Sequence, residues 1–406
     1  MVENNQLDQI TDIISERVID EINIGRFYKF NMPADVLVGP GSTIKLGKEA
    51  KKLGNKALLV TDQGILDLGL HSTTVKSLEK EGIGIEIYAG VKPDPTDEVV
   101  WEGVSFAREK NIDLIVGLGG GSALDVAKAI AFLMCNDGEI SKFEGVDKIS
   151  NHRLPLIAIS TTSGTGSEVS AATVVTDTRL NKKMVISSPS LVPDIAVVDA
   201  RLTKGIPSKI TAATGIDVLV HAIEAYISKN SITIARALAY HSIRYVAENL
   251  PLAVGNGDDM EARHRMAVAS LMAGMAFSNV GLGACHATAH QLGTTYKIPH
   301  GVANAIMLPT VMEYNSLVCR RRLGQIAVAM GERVEGLTER EAAEKAIKAV
   351  RTLIKDIGIP EKISDVGGKE SDIEAMAENA LLDPTLGSNP RQTDYEDLVN
   401  LYKKAF

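Results

Sequence analysis

Five side chains with metal-binding chemistry fall in two short stretches of this sequence. Asp217 and His221 stand four apart in GIDVLVHAIEAY, and His286 and His290 repeat that spacing in GACHATAHQLG. On a helix, residues at i and i+4 project one turn apart from the same face, so each pair makes a two-pronged grip. His300 follows in the turn KIPHGVAN. From Met266 to Tyr296 the chain carries no Asp, Glu, Lys or Arg, so imidazoles buried there need polar partners. One shared divalent cation would satisfy them together. Imidazoles with a single carboxylate suit Fe2+ or Zn2+ and leave a position open for a substrate oxygen. Spacing alone leaves open which of the five stays unligated, and the plainer alternative is a set of helix-packing histidines.

A second constellation could hold phosphate. Gly117-Leu118-Gly119-Gly120-Gly121-Ser122 follows an apolar run and leads directly into ALDVAKA. Glycines let the backbone approach a ligand closely, and the free N–H groups of a helix start, aided by the macrodipole, favour an anion such as pyrophosphate. Ser122 stands where the usual dinucleotide fingerprint has a third glycine, so Gly-x-Gly-x-x-Gly is not matched. Thr161-Thr162-Ser163-Gly164-Thr165-Gly166 also follows an apolar run and gives a second small, hydroxyl-rich turn. Asp62 closes KALLVTD, where an acidic group accepts from a ribose diol and repels a 2′-phosphate, favouring NAD over NADP. The alternative for Asp62 is an ordinary helix N-cap.

These residues need elements to position them. Between residues 30 and 200, five apolar runs, 56–62, 83–90, 111–120, 154–161 and 194–199, alternate with amphipathic stretches such as 97–110. Near-continuous apolar strands bounded by helices indicate a parallel sheet covered on both faces. After Pro207 strand signals fade, and helical patterns run over 208–228, 232–249, 258–277 and 339–357, with a further helix in the tail. The expected fold is therefore an α/β dinucleotide-binding domain over 1–205 followed by an all-α metal-binding and substrate domain over 206–406. Residues 1–25 are expected to add an extra N-terminal helix. The site is expected between the halves, where clefts usually lie.

Composition narrows the function classes. The chain has 406 residues with 43 basic and 51 acidic side chains, a formal net charge of −8. With no basic block to neutralise phosphates, nucleic acid is not an expected partner. Three scattered cysteines, Cys135, Cys285 and Cys319, give neither a disulfide framework nor a thiolate zinc site, which fits a reducing cytoplasm. The acidic N-terminal stretch is unlike a secretory signal. The charge-free run 266–296 is broken by Ser270, Ser278, Asn279 and two histidines, so it is read as protein interior and no membrane association is expected.

Taken together, GLGGGSALDVAKA, TTSGTGSEVS, GIDVLVHAIEAY, GACHATAHQLG and PHGVANAIMLP resemble the iron-containing (group III) alcohol dehydrogenases, in the same order and from about residue 30 to the C-terminus. The resemblance implies metal ligands Asp217, His221, His286 and His300, with His290 unligated beside the nicotinamide as a proton relay or substrate contact. It places the pyrophosphate on Gly119, Gly120, Gly121 and Ser122, a ribose on Asp62, the adenosine side near Asp94, and the nicotinamide side at Thr161, Thr162 and Thr165, with Lys183 a further basic position near the cofactor. Family members often carry Asn at the position of Asp94, and the N-terminal extension is longer than in many.

The expected activity is reversible hydride transfer between a small primary alcohol or diol and NAD, with Fe2+, or Zn2+, as Lewis acid and the protein as a homodimer or larger homo-oligomer. Two relatives in the same superfamily are alternatives. A dehydroquinate-synthase-like lyase would need several basic side chains for its multiply charged substrate, where this sequence offers Ala, Leu, Met and Phe277. A glycerol-dehydrogenase-like enzyme typically uses one fewer histidine, against His300 in its PHG context. From a different class, a nucleotide-binding scaffold without turnover would leave the histidines structural.

Overall fold

The computed structural model describes residues 28–180 and 182–406; the helix expected over residues 1–25 lies outside them. Nine strands occur among the described residues: β1 (Asp35–Val38), β2 (Lys56–Asp62), β3 (Gly84–Val91), β4 (Leu114–Gly119), β5 (Gly145–Val146), β6 (Leu156–Ser160), β7 (Ala172–Asp177), β8 (Lys182–Ser187) and β9 (Ile195–Val198). Helices α1 (Ser42–Ala50), α2 (Gln63–Asp67), α3 (Ser72–Lys80), α4 (Asp97–Glu109) and α5 (Gly121–Leu133) lie between them. Six strands pair in parallel in the order β3-β2-β4-β6-β9-β1.

Strand β2 shows why its residues read as one apolar run. Leu58 and Val60 enter a core that includes Val104 of α4 and Ile130 of α5, while Ala57 and Leu59 enter another with Leu46 of α1 and Leu78 of α3. Successive side chains alternate faces, and helices cover both. The chain passes from β2 to β3 on one side, then returns to place β4 on the other. The crevice outside the carboxyl ends of β2 and β4 is therefore the topological switch point where such sheets bind ligands. Asp62 and Gly119 end those two strands.

The strands expected from sequence all form: 56–62 in full, 83–90 shifted by one residue, and the other three shorter by one to three residues at each end. Not foreseen were edge strand β1 and the antiparallel pair β7–β8, which with β5 makes a separate three-stranded sheet. β7 is buried only on alternate residues, so it lacks the continuous apolar signature of the central strands.

The parallel sheet ends at Val198, and α6 (Ser208–Ile227) begins an all-helical region: α7 (Thr233–Gly255), α8 (Met260–Val280), α9 (Ala284–Tyr296), α10 (His300–Ala329), α11 (Glu339–Asp356), α12 (Ile373–Leu381) and α13 (Tyr395–Lys404). One apolar core joins these helices. α7 runs six residues past its expected end and through Pro251. α6 is long and apolar enough to cross a membrane, but most of it is buried in protein, as in a core helix. The charge-free 266–296 run is also largely interior; it forms the end of α8 and all of α9, which meet at 107°.

Candidate metal and dinucleotide site

Helix α6 carries Asp217, His221 and Glu224 on one face, at i, i+4 and i+7. All three are buried. His286, on the first turn and a half of α9, faces them, with its Nε2 3.9 Å from Asp217 Oδ1. His221 Nδ1 lies 3.9 Å from Asp217 Oδ2, and the His221 ring stacks on His286 at 4.7 Å and on Phe277 at 4.4 Å. Donor atoms of Asp217, His221 and His286 lie within 4.8 Å of one another.

His300 joins from a different element than expected. It is not in a turn: Lys297 adopts φ 53° to end α9, Pro299 caps α10, and His300 is the first residue of that helix. Its Nε2 stands 3.6 Å from Asp217 Oδ1, with the side chain 44% exposed at the edge of the cluster. His290 lies one turn beyond His286 and stacks against His300 at 5.3 Å. Its Nδ1 is held by Asp383 Oδ2 at 2.7 Å.

The electrostatics suit a cation. Burial would raise the Asp217 carboxyl, but His221, His300, His286 and the Asn304 amide together bring it below its ordinary value. Burial drives His286 well below the ordinary imidazole range, and neighbouring histidines add to the effect. His300 is likewise lowered by burial to about 4, so Asp217 meets neutral imidazoles at His286 and His300, the protonation state metal ligands require. His221 Nδ1 is buried without a hydrogen-bond partner, an orphan that a metal would satisfy. The residues fit a divalent ion.

At the switch point, Gly119, Gly120 and Gly121 run from β4 into α5, and no side chain caps the α5 N-terminus. A Cβ on Gly119 would meet Ala123 Cβ at 2.6 Å, and one on Gly121 would meet Thr165 Cγ2 at 3.0 Å. The tight turn therefore requires glycine, and its first N–H groups stay open for an anion. Thr162 and Thr165 border Gly120 and Gly121, so the two turns form one cradle, with Thr161 bonded through its N–H to Gly119 O. Asp62 is a helix N-cap. Its Oδ1 accepts from Ile65 N at 3.0 Å, capping α2, while Oδ2 faces Gly119.

The sequence model of iron-containing alcohol dehydrogenase matches residues 33–200, and that of the C-terminal part of the same family matches 211–406. The chain belongs to the iron-containing alcohol dehydrogenase family. It is 42% identical to 1,3-propanediol dehydrogenase of Klebsiella pneumoniae over 94% of this chain and 99% of that protein. It is 40% identical to the NAD-dependent methanol dehydrogenase of Bacillus methanolicus over 93% and 99%. Among solved structures, 1,3-propanediol oxidoreductase superposes with TM-score 0.92 at 42% identity, covering 94% of this chain and all of that one. The protein is an NAD-dependent, metal-dependent oxidoreductase of alcohols and aldehydes, and iron is the family's metal.

Three residues of this dehydrogenase escaped the sequence reading. Glu224 Oε2 contacts His286 Nδ1 at 2.5 Å and Oε1 accepts from Cys285 N at 2.8 Å, which orients the ring with Nε2 toward Asp217. Its signal was present: Glu224 continues the Asp217–His221 stripe by one turn. Asn304 donates from Nδ2 to Asp217 Oδ1 at 2.7 Å and approaches His300 Nε2 at 3.0 Å; it sits at i+4 from His300 and was equally legible. Asp383 lies 93 residues from His290, and no local spacing could reveal it. Asp94 and Lys183 pair with each other, Oδ1 to Nζ at 2.6 Å, and both are exposed.

Proposed function

We propose that this enzyme interconverts a small primary alcohol or diol and its aldehyde, with Asp217, His221, His286 and His300 holding the iron and His290 outside the ligand set. The observation that carries the reading is the buried, partnerless His221 Nδ1 beside an ionised Asp217 and a neutral His286. Residues 1–205 serve as the cofactor domain and 206–406 as the metal and substrate domain. Bound iron supplies Lewis acidity toward the substrate oxygen, and NAD supplies the hydride acceptor.

The chain's own residues do the placing. Open N–H groups at Gly121 and Ser122 hold pyrophosphate, with Gly119 and Gly120 shaping the turn. Asp62 Oδ2 accepts from a ribose, Asp94 flanks the adenosine side, Lys183 adds a basic position near the cofactor, and Thr161, Thr162 and Thr165 line the nicotinamide side. Asp383 fixes the proton of His290 on Nδ1, which leaves Nε2 as the atom that takes the substrate's proton. Apolar Phe277 stacks on His221 beside the cluster, which supports a small, weakly charged substrate. The relatives' printed substrates, 1,3-propanediol and methanol, fall in that class.

His286→Ala is the direct test. Metal analysis should find the iron lost and NADH oxidation with short aldehydes abolished, with the circular dichroism spectrum unchanged; retained iron would overturn the ligand set. We place the enzyme in a reducing cytoplasm, supported by three unpaired cysteines, as a homodimer or larger homo-oligomer, which light scattering checks.

A further inference from the structure

Beneath the cofactor cradle lies a buried charged cluster that the mechanism above does not use. Lys128, in the middle of α5, is fully buried. Its Nζ donates to Ser167 Oγ at 3.1 Å, Ser170 Oγ at 2.8 Å, and the carbonyls of Ser170 and Ala172 at 2.9 and 2.8 Å. One turn earlier on α5, Asp125 Oδ1 accepts from Ser167 Oγ at 3.0 Å and Oδ2 from Val174 N at 3.2 Å. Every one of these bonds joins α5 to the segment that follows the hydroxyl-rich turn.

Two links then reach the cradle itself. Ser167 N donates to Thr165 Oγ1 at 3.2 Å, and Thr165 packs on Gly121 at the start of α5. On its far side, Gly166 (φ 59°) rests against Gly274 of α8, where an added Cβ would come within 2.6 Å of Gly274 Cα. The turn is therefore seated on the helical half and tied to the pyrophosphate helix by Lys128 and Asp125.

An ammonium in a protein interior is costly, and burial lowers Lys128 to about 8 although Asp125 and Glu168 oppose the shift. A hydrocarbon side chain would fill the volume but would leave the Ser170 and Ala172 carbonyls without this donor. The distinct property of the ammonium is to fix several acceptors of a second segment relative to α5.

We propose that Lys128 and Asp125 are positioning residues that set the spacing between the pyrophosphate and nicotinamide sides of the dinucleotide cradle. The inference rests on the reading of this cradle as the NAD site. Loosening the tie weakens a ligand that spans both sides and spares one that occupies only the pyrophosphate and adenosine side.

The test compares NADH with ADP, each titrated calorimetrically into iron-loaded wild type, Lys128→Met and the milder Ser167→Ala. Losing a hydrogen bond to a charged group lowers NADH affinity by about tenfold, whereas the ADP dissociation constant stays within about twofold and bound iron is unchanged. Equal weakening of both ligands, or none of either, in Ser167→Ala overturns the proposal. If Lys128→Met does not fold, Ser167→Ala carries the comparison alone, because it removes one hydroxyl and keeps the ammonium. Failure of wild type to bind NADH would instead sink the cofactor reading beneath it.

Discussion

Residue-scale chemistry here depends on partners that fix tautomers and charges. Glu224 is buried, and burial raises its carboxyl to about 7 despite N–H bonds from Cys285 and Gly283. Its contact with His286 Nδ1 leaves Nε2 facing Asp217. Replacing Glu224 by Gln keeps the shape and removes the charge, so iron affinity should fall about 10–100-fold with His286 still in place. Chelator competition would measure this, and an unchanged affinity would remove Glu224 from any role in orienting the ring. Asp62 allows a cleaner separation. Asn caps a helix as well as Asp does, so Asp62→Asn should leave the melting temperature unchanged while shifting the NAD-to-NADP preference toward NADP by roughly tenfold, the effect of one partly exposed charge near a phosphate. Kinetics with both cofactors would show whether the carboxylate or only the cap matters.

At the scale of elements, Asp217 and the histidines come together because α6, α9 and α10 approach closely. Gly301, next to His300, is where α10 crosses α6: an added Cβ would fall 1.7 Å from Ala213 O. That contact is backbone and cannot be relieved by a rotamer change. Gly301→Ala should therefore push the helices apart, cost about 3 kcal/mol, and separate His300 from Asp217. Urea melts and metal content should fall together; a stable variant with full iron would mean that the crossing does not set the cluster. The same scale explains which elements sequence made legible. β2, β4, β6 and β9 are buried on both faces and read as apolar runs, whereas half-buried β7 and short edge strand β1 carry weak patterns. α7 continues through Pro251 because packing against α6 and α8 overrides a local breaker.

For the whole molecule, the joint between strand ends and helix starts bears on stability. Asp199, after β9, accepts from Gly41 N, Thr43 Oγ1 and the Arg201 guanidinium. Burial would raise its carboxyl, but the Arg201 and Thr43 hydrogen bonds win and hold it at about 2. A depressed folded value means the contribution is complete above the unfolded value and is lost as pH falls through the folded one. The ionised form should thus contribute about 2 kcal/mol at neutral pH, falling to about half by pH 3. Asp199→Asn should narrow its stability gap to wild type over that interval in urea melts; a gap that stays constant from pH 6 to 3 would contradict the assignment.

The sequence alone carried whatever is periodic or contiguous: the paired i, i+4 donors, the glycine turn after an apolar strand, and the alternation that makes an α/β half precede a helical one. Those are local regularities, set by the 3.6-residue helix and the two-residue strand. Tertiary structure decided which side chains meet across long separations. Asp383 reaches His290, Lys128 ties α5 to the segment after the hydroxyl-rich turn, and Lys183 finds Asp94, because loops and helix crossings bring together residues whose separation along the chain has no period.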